Sequence, residues 1–102
     1  MKYQLVLQWP ASSIKDYDAM IEIEEILIKV LGNLGKVDGH DAGSGEMNIF
    51  IFTNNPQSAF ERINSSIGAR DFAKNFKAAY REVRSDEFKI VHPDSLTYFS
   101  IA

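Results

Sequence analysis

Residues 36–53 read KVDGHDAGSGEMNIFIFT and carry the clearest fold signal in the chain. Residues 47–53 are rich in β-branched and aromatic side chains, which favour a strand. Residues 36–42 predict a shorter strand, and Gly43 and Gly45, on either side of a serine, suit the turn between the two. The segment therefore predicts a β-hairpin.

A strand and a helix are predicted before this hairpin. Apolar side chains occupy every second position of residues 3–9, which is typical of a strand with one apolar face, and Pro10 ends it. Ser13 and Asp16 resemble a capping box at the start of a helix that runs to about Leu31. The glycines that follow Leu31 are stop signals for that helix.

A second helix is predicted directly after the hairpin. Asn55 is a good cap residue, and Pro56 suits the first position of a helix because its missing N–H needs no partner there. Apolar side chains then recur at helical spacing until Gly68. The helix is therefore predicted from Pro56 to the residue before Gly68.

The segment after the second helix is ambiguous. Residues 76–84 fit a helix and also one face of a strand. We favour a strand, preceded by a short helical piece that ends near Asn75. The reason is that residues 85–86 suit a turn and residues 88–92 form a clear strand, so a hairpin joins the last two strands.

The predicted elements follow one another in the order β-α-β-β-α-β-β. The natural packing of this order is an α+β fold of the ferredoxin-like type, a split βαβ sandwich in which two helices cover one face of an antiparallel sheet. The 102 residues are interpreted as a single domain. A chain of this length buries roughly two-thirds of its unfolded surface, which is enough for a core.

The net charge of −3 is distributed unevenly. Residues 1–51 hold four lysines and eight carboxylates, whereas residues 52–102 hold seven basic and six acidic side chains. Binding of nucleic acid requires a concentrated basic face, which the first half lacks and the second half interrupts with acidic residues. We therefore expect no nucleic-acid partner.

The composition also bears on the compartment. The chain has no cysteine, which excludes disulfide frameworks and thiolate metal sites. The apolar run at residues 5–7 is too short for a signal peptide or a membrane span. The sequence thus indicates a cytoplasmic protein without a membrane partner, and it suggests no cofactor.

Two segments carry more apolar surface than a single helix–sheet contact requires. The charged residues of the first helix form one narrow stripe, so its apolar arc is wide. A helix that lies on a sheet needs an apolar arc of only about 100°. In the strand at 47–53, Phe50 and Phe52 face away from the helices if Ile49 faces them. Either the tail at residues 96–101 covers this surface, or a second copy of the chain does.

The loop at residues 38–46 gathers a histidine, three carboxylates, a serine and three glycines. Strand alternation puts Asp38 and His40 on one face, and with Glu46 they offer nitrogen and oxygen ligands of the kind that metal ions bind. Glu24 lies in the middle of the apolar arc of the first helix, where a carboxylate needs a partner. A small-ligand or metal-binding sensory module, or a minor enzyme, with a site around these four residues is therefore the alternative to a binding protein.

Ser44 does not match the pattern of a catalytic serine. A nucleophile elbow needs glycines two residues before and two residues after the serine, and this chain has Ala42 and Glu46 there. We therefore assign no catalytic residue and do not expect an enzyme. The glycines are expected to shape the turn, with the polar side chains exposed to water or to a binding partner.

Three segments resemble a group of small bacterial proteins of similar length. The main one is residues 37–51, VDGHDAGSGEMNIFI, and the others are residues 5–10, LVLQWP, and residues 79–82, AYRE. The group has no settled activity, so the resemblance carries over no catalytic residues. Some compact acidic proteins of this kind are immunity proteins of bacterial toxin systems, and the resemblance implies such a function here.

These observations favour a non-enzymatic protein-binding domain, most concretely an immunity-type inhibitor that binds and neutralises a toxin domain. The acidic first half would steer the chain toward a basic partner such as a nuclease. A homodimer is the other association that the apolar surface suggests. The expected contact residues are on the first helix and the loop: Asp18, Glu22, Glu25, Asp38, His40, Asp41, Ser44 and Glu46.

Overall fold

The structure is a computed structural model that describes residues 1–10, 17–43, 45–68, 70 and 75–101. The predicted strands and helices are confirmed in these ranges. The capping box at Ser13 and Asp16 lies outside the described residues, as does most of the short helical piece expected before Asn75. In chain order the elements are β1 (Tyr3–Pro10), α1 (Tyr17–Leu31), a 3-10 turn (Gly32–Leu34), β2 (Gly35–Gly43), β3 (Glu46–Thr53), α2 (Pro56–Ile67), β4 (Lys77–Glu82) and β5 (Lys89–His92).

The five strands form one antiparallel sheet in the order β2-β3-β1-β4-β5. The α+β class and an antiparallel sheet with two helices are therefore confirmed. The central strand β1 pairs with β3 along its whole length, from Tyr3 opposite Thr53 to Pro10 opposite Glu46. The two edges of the sheet are formed by β2 and β5.

One face of the sheet packs against both helices. In β1 this face is formed by Leu5, Leu7 and Trp9, because alternate residues of a strand share a face. In β3 it is formed by Ile49 and Ile51. Each large apolar side chain buried in this core stabilises the fold by about 1.5–3 kcal/mol. The helices complete the core with Met20, Ile23, Leu27, Leu31, Ala59, Phe60, Ile63 and Ile67.

The C-terminal tail covers part of the opposite face, which is called the tail face below. Phe99 is only 9% exposed, and its ring meets that of Phe88 edge to face with the centroids 5.0 Å apart. It forms a second apolar cluster with Val6 and Ala79, called the tail-face cluster below, and Phe50 and Leu96 pack against that cluster. Of the two coverings that the sequence allowed for Phe50, the structure therefore shows the tail.

A hydrogen bond from β1 also holds the tail. Gln8 is 2% exposed, and its Nε2 atom donates to the backbone oxygen of Ser100 at 3.0 Å and to Oδ1 of Asn48 at 3.0 Å. A buried amide that lost these acceptors would cost about 1–3 kcal/mol, so the pairing matters for stability. The bond to Ser100 fixes where the tail crosses the sheet.

Most of the apolar excess on α1 is covered within the chain. Ile26 lies beside the charged stripe. It is partly buried and packs against the core between the sheet and the helices. Ile28 is the exception, because 57% of it is exposed. No helix among the described residues is long and apolar enough to cross a membrane.

The turn between β2 and β3 depends on one glycine. Gly45 has φ +80°, in the left-handed region that costs other residues about 1–2 kcal/mol. Replacing Gly45 with alanine should therefore lower the free energy of unfolding by about 1 kcal/mol in urea denaturation. Gly43→Ala is the matched control, because an added Cβ there meets nothing within 4 Å. Equal losses in the two variants would contradict the role of the positive φ.

Candidate functional site

The edge strand β2 contains a β-bulge. Its register against β3 shifts between Val37, which lies opposite Ile51, and Gly39, which lies opposite Phe50. Asp38 is therefore the extra residue on this strand. Gly39 has φ +158°, a conformation that residues with side chains rarely adopt, which explains why a glycine follows the bulged residue.

The bulge interrupts the regular alternation from which Asp38 and His40 are expected to share one face of the strand. His40 lies opposite Ile49 and Val37 lies opposite Ile51, so both belong to the face that the helices cover. Val37 and His40 are three positions apart and still share a face, because the extra residue between them shifts the alternation by one position. Asp38 is exposed at the bulge itself.

Glu24 and His40 contact each other between α1 and β2. The Oε1 atom of Glu24 is buried, and Nδ1 of His40 is the group that contacts it. The side chains are 14% and 25% exposed, respectively. The carboxylate in the apolar arc of α1 therefore has a partner on the neighbouring strand, and the contact joins the two elements.

The structure does not bring the remaining loop residues to this pair. Asp41 lies opposite Asn48, and Glu46 lies opposite Gly43, so both belong to the tail face. Ser44 lies outside the described residues. Within residues 1–10, 17–43, 45–68, 70 and 75–101, no group of three or more histidines and carboxylates could hold a metal ion.

Exposed carboxylates lie along both α1 and β2. On α1 they are Asp18, Glu22 and Glu25, and on β2 they are Asp38 and Asp41. The two elements are neighbours, since Glu24 of α1 contacts His40 of β2. We call these five residues the acidic edge.

The end of α1 and the start of β2 carry exposed apolar and basic side chains. A groove of about 420 Å³ lies between the end of α1 and the start of β2, lined in part by Ile28, Lys36 and Val37. Lys29 is exposed beside Ile28. Sequence reasoning missed this groove, although the position of Ile28 on the flank of the apolar arc was a signal for it.

His92, the last residue of β5, has a packing role. Its ring stacks on Phe76 with the centroids 4.7 Å apart and lies 5.5 Å from Phe60. Phe76 in turn stacks on Trp9, with the ring centroids 5.6 Å apart.

Comparisons of the chain with protein-family models, curated proteins and solved structures give no match. The function of the site is therefore inferred from its own residues.

Proposed function

We propose that this chain is a non-enzymatic protein-binding domain, most concretely an immunity-type inhibitor that binds and neutralises a toxin domain. The observation that carries the proposal is the acidic edge, where exposed carboxylates lie on two adjacent elements. Charges arranged in this way steer a basic partner into encounter and favour it over acidic competitors. The partner expected here is a toxin domain with a basic surface.

The attachment of both elements of the acidic edge to one core supports the same proposal. The residues of this edge lie on a helix and a strand that share a core, and the contact between Glu24 and His40 joins the two. A surface held in place before binding loses little conformational entropy when the partner arrives. Such a surface suits tight inhibition better than a mobile loop does.

The test is binding of the purified chain to a basic toxin domain encoded by a neighbouring gene. Isothermal titration measures the affinity, and an assay of the toxin measures its inhibition. One-to-one binding that abolishes toxin activity would support the proposal. A toxin domain that neither binds nor loses activity would overturn it.

The pair of Glu24 and His40 favours one alternative, a small-ligand or metal-binding module. Zn²⁺ is the probe, because nitrogen and oxygen ligands suit it. If Zn²⁺ binds the folded chain through this pair, it raises the melting temperature of the wild type and leaves that of Glu24→Gln unchanged. Glu25→Gln is the matched control and should behave as the wild type. An unchanged wild-type melting temperature would remove the metal version.

We also propose that the fold belongs to the ferredoxin-like class and that the protein is cytoplasmic. The ferredoxin-like class is supported by the position of β1 between β3 and β4, with β5 as an additional edge strand. The cytoplasmic location is supported by the lack of cysteine. An experimental structure with another strand order would remove the first, and fractionation of the native host would test the second.

A further inference from the structure

We propose that the outer edge of β2 pairs with β2 of a second copy of the chain, antiparallel and about a two-fold axis. This strand has nine residues and, among the described parts of the chain, pairs only with β3. Its outer backbone groups are therefore a template for another strand. An interface between identical copies must be complementary to itself, and the sequence of β2 meets that condition in one register.

The bulge determines which registers are allowed. Two strands that pair about a two-fold axis normal to the sheet keep the same face up, so residues opposite each other must share a face. In a regular strand, only residues separated by an even number of positions meet this condition. Across the bulge at Asp38 the alternation shifts by one, so residues separated by an odd number meet it instead.

One register satisfies both the faces and the charges. Lys36 lies opposite Phe52 and Asp41 lies opposite Asn48, so both belong to the tail face. An axis between residues 38 and 39 puts Lys36 opposite Asp41 of the second copy, and symmetry repeats the pair. Two ion pairs between Lys36 and Asp41 thus form directly across the interface. Opposite charges that face each other across two strands stabilise a sheet.

The same register pairs residues on the helix-covered face. Val37 and His40 both belong to this face, and the register puts each opposite the other of the second copy. Val37 also lines the groove beside Ile28, which is 57% exposed. The second copy therefore lies beside this groove, where it would cover exposed apolar side chains.

Competing registers are worse. An axis through Asp41 puts this carboxylate opposite its own copy, and like charges directly opposite are destabilising. An axis through Val37 puts Gly35 opposite Gly39. Gly35 lies opposite Thr53 on the helix-covered face, whereas Gly39 lies opposite Phe50 on the tail face, so the faces do not match.

Self-association of this kind does not rest on the proposed function. It occupies Asp38 and Asp41, which belong to the acidic edge, so a toxin and a second copy would compete for β2. Self-association and inhibition of a toxin domain are therefore independent proposals, and the failure of one does not contradict the other. The dimer is tested on the chain alone, whereas inhibition needs the toxin domain.

The experiment is sedimentation equilibrium of the purified chain and four variants. The wild type should shift from its monomer mass of 11.5 kDa toward twice that value at high micromolar concentration. Lys36→Glu and Asp41→Lys should each weaken the dimer by about tenfold, because each replaces two attractive pairs with two repulsive ones. The chain with both changes should recover the wild-type affinity. Both side chains are exposed, so all these variants should fold.

Lys89→Glu is the matched control, since Lys89 is exposed on β5 at the other edge of the sheet. It should leave the dimer affinity unchanged. The proposal is overturned if the wild type stays at its monomer mass at about 1 mM, which would mean that the bulge and charges protect the edge. It is equally overturned if the double exchange is as weak as the single variants, or if Lys89→Glu weakens the dimer as much as they do.

Discussion

Phe99→Ala is expected to lower the free energy of unfolding by about 3 kcal/mol, because it removes the main side chain of the tail-face cluster. The ring is 9% exposed and contacts Phe88. Its loss leaves a cavity over Val6 and Ala79 and weakens the hold of the tail on the sheet. Urea denaturation followed by circular dichroism measures the change.

Tyr98→Ala is the matched control for this prediction. Tyr98 is the adjacent aromatic residue but is 73% exposed, so its loss should change stability by less than about 0.5 kcal/mol. Similar losses for Phe99→Ala and Tyr98→Ala would contradict the account of the tail face. A stable Phe99→Ala variant would contradict it as well.

Reversing the charges on α1 is expected to have the largest effect on partner binding. The triple variant Asp18→Lys, Glu22→Lys and Glu25→Lys should bind the basic toxin domain at least about 100-fold more weakly than the wild type. These side chains are exposed, so the variant should keep its fold. Isothermal titration measures the affinity, and circular dichroism checks the fold.

A second triple variant separates the position of charge from its amount. Glu61→Lys, Glu87→Lys and Asp94→Lys change the net charge equally, and these residues are exposed on α2, after β4 and in the tail. This variant should bind the toxin nearly as well as the wild type, apart from a slower encounter. Equal losses in both triple variants would mean that net charge, rather than the acidic edge, sets the affinity.

The strands and helices were largely predictable because their signals are local. Alternating apolar residues identify β1, and the cap at Asn55 with Pro56 identifies the start of α2. The Oδ1 atom of Asn55 indeed accepts a hydrogen bond from the backbone N–H of Ser58 at 3.1 Å. Local signals of this kind need no knowledge of the tertiary fold.

The candidate site was less predictable because it depends on pairing between elements. The bulge at Asp38 follows from the register of β2 against β3, and the sequence indicates it only through the glycine at position 39. The helical wheel identifies Glu24 as a carboxylate in need of a partner. That the partner is His40 follows from how α1 packs on β2.

For a similar reason, the sequence does not determine what covers the tail face. The apolar character of Phe50 shows that something covers it, but the tail and a second copy satisfy this need equally well in the sequence. The packing of Phe99 and Leu96 in the tail-face cluster decides for the tail. The second copy that we propose pairs instead with the outer edge of β2, which is an edge strand of the sheet.

The central claim is the proposal that this chain acts by contact through its acidic edge, and the affinity of the wild type for a basic toxin domain encoded by a neighbouring gene tests it most directly. We predict one-to-one binding that weakens steeply when the ionic strength rises from about 0.05 M to about 0.5 M, since exposed charges are screened by salt. No binding at low ionic strength, or an affinity that salt does not change, would contradict the claim.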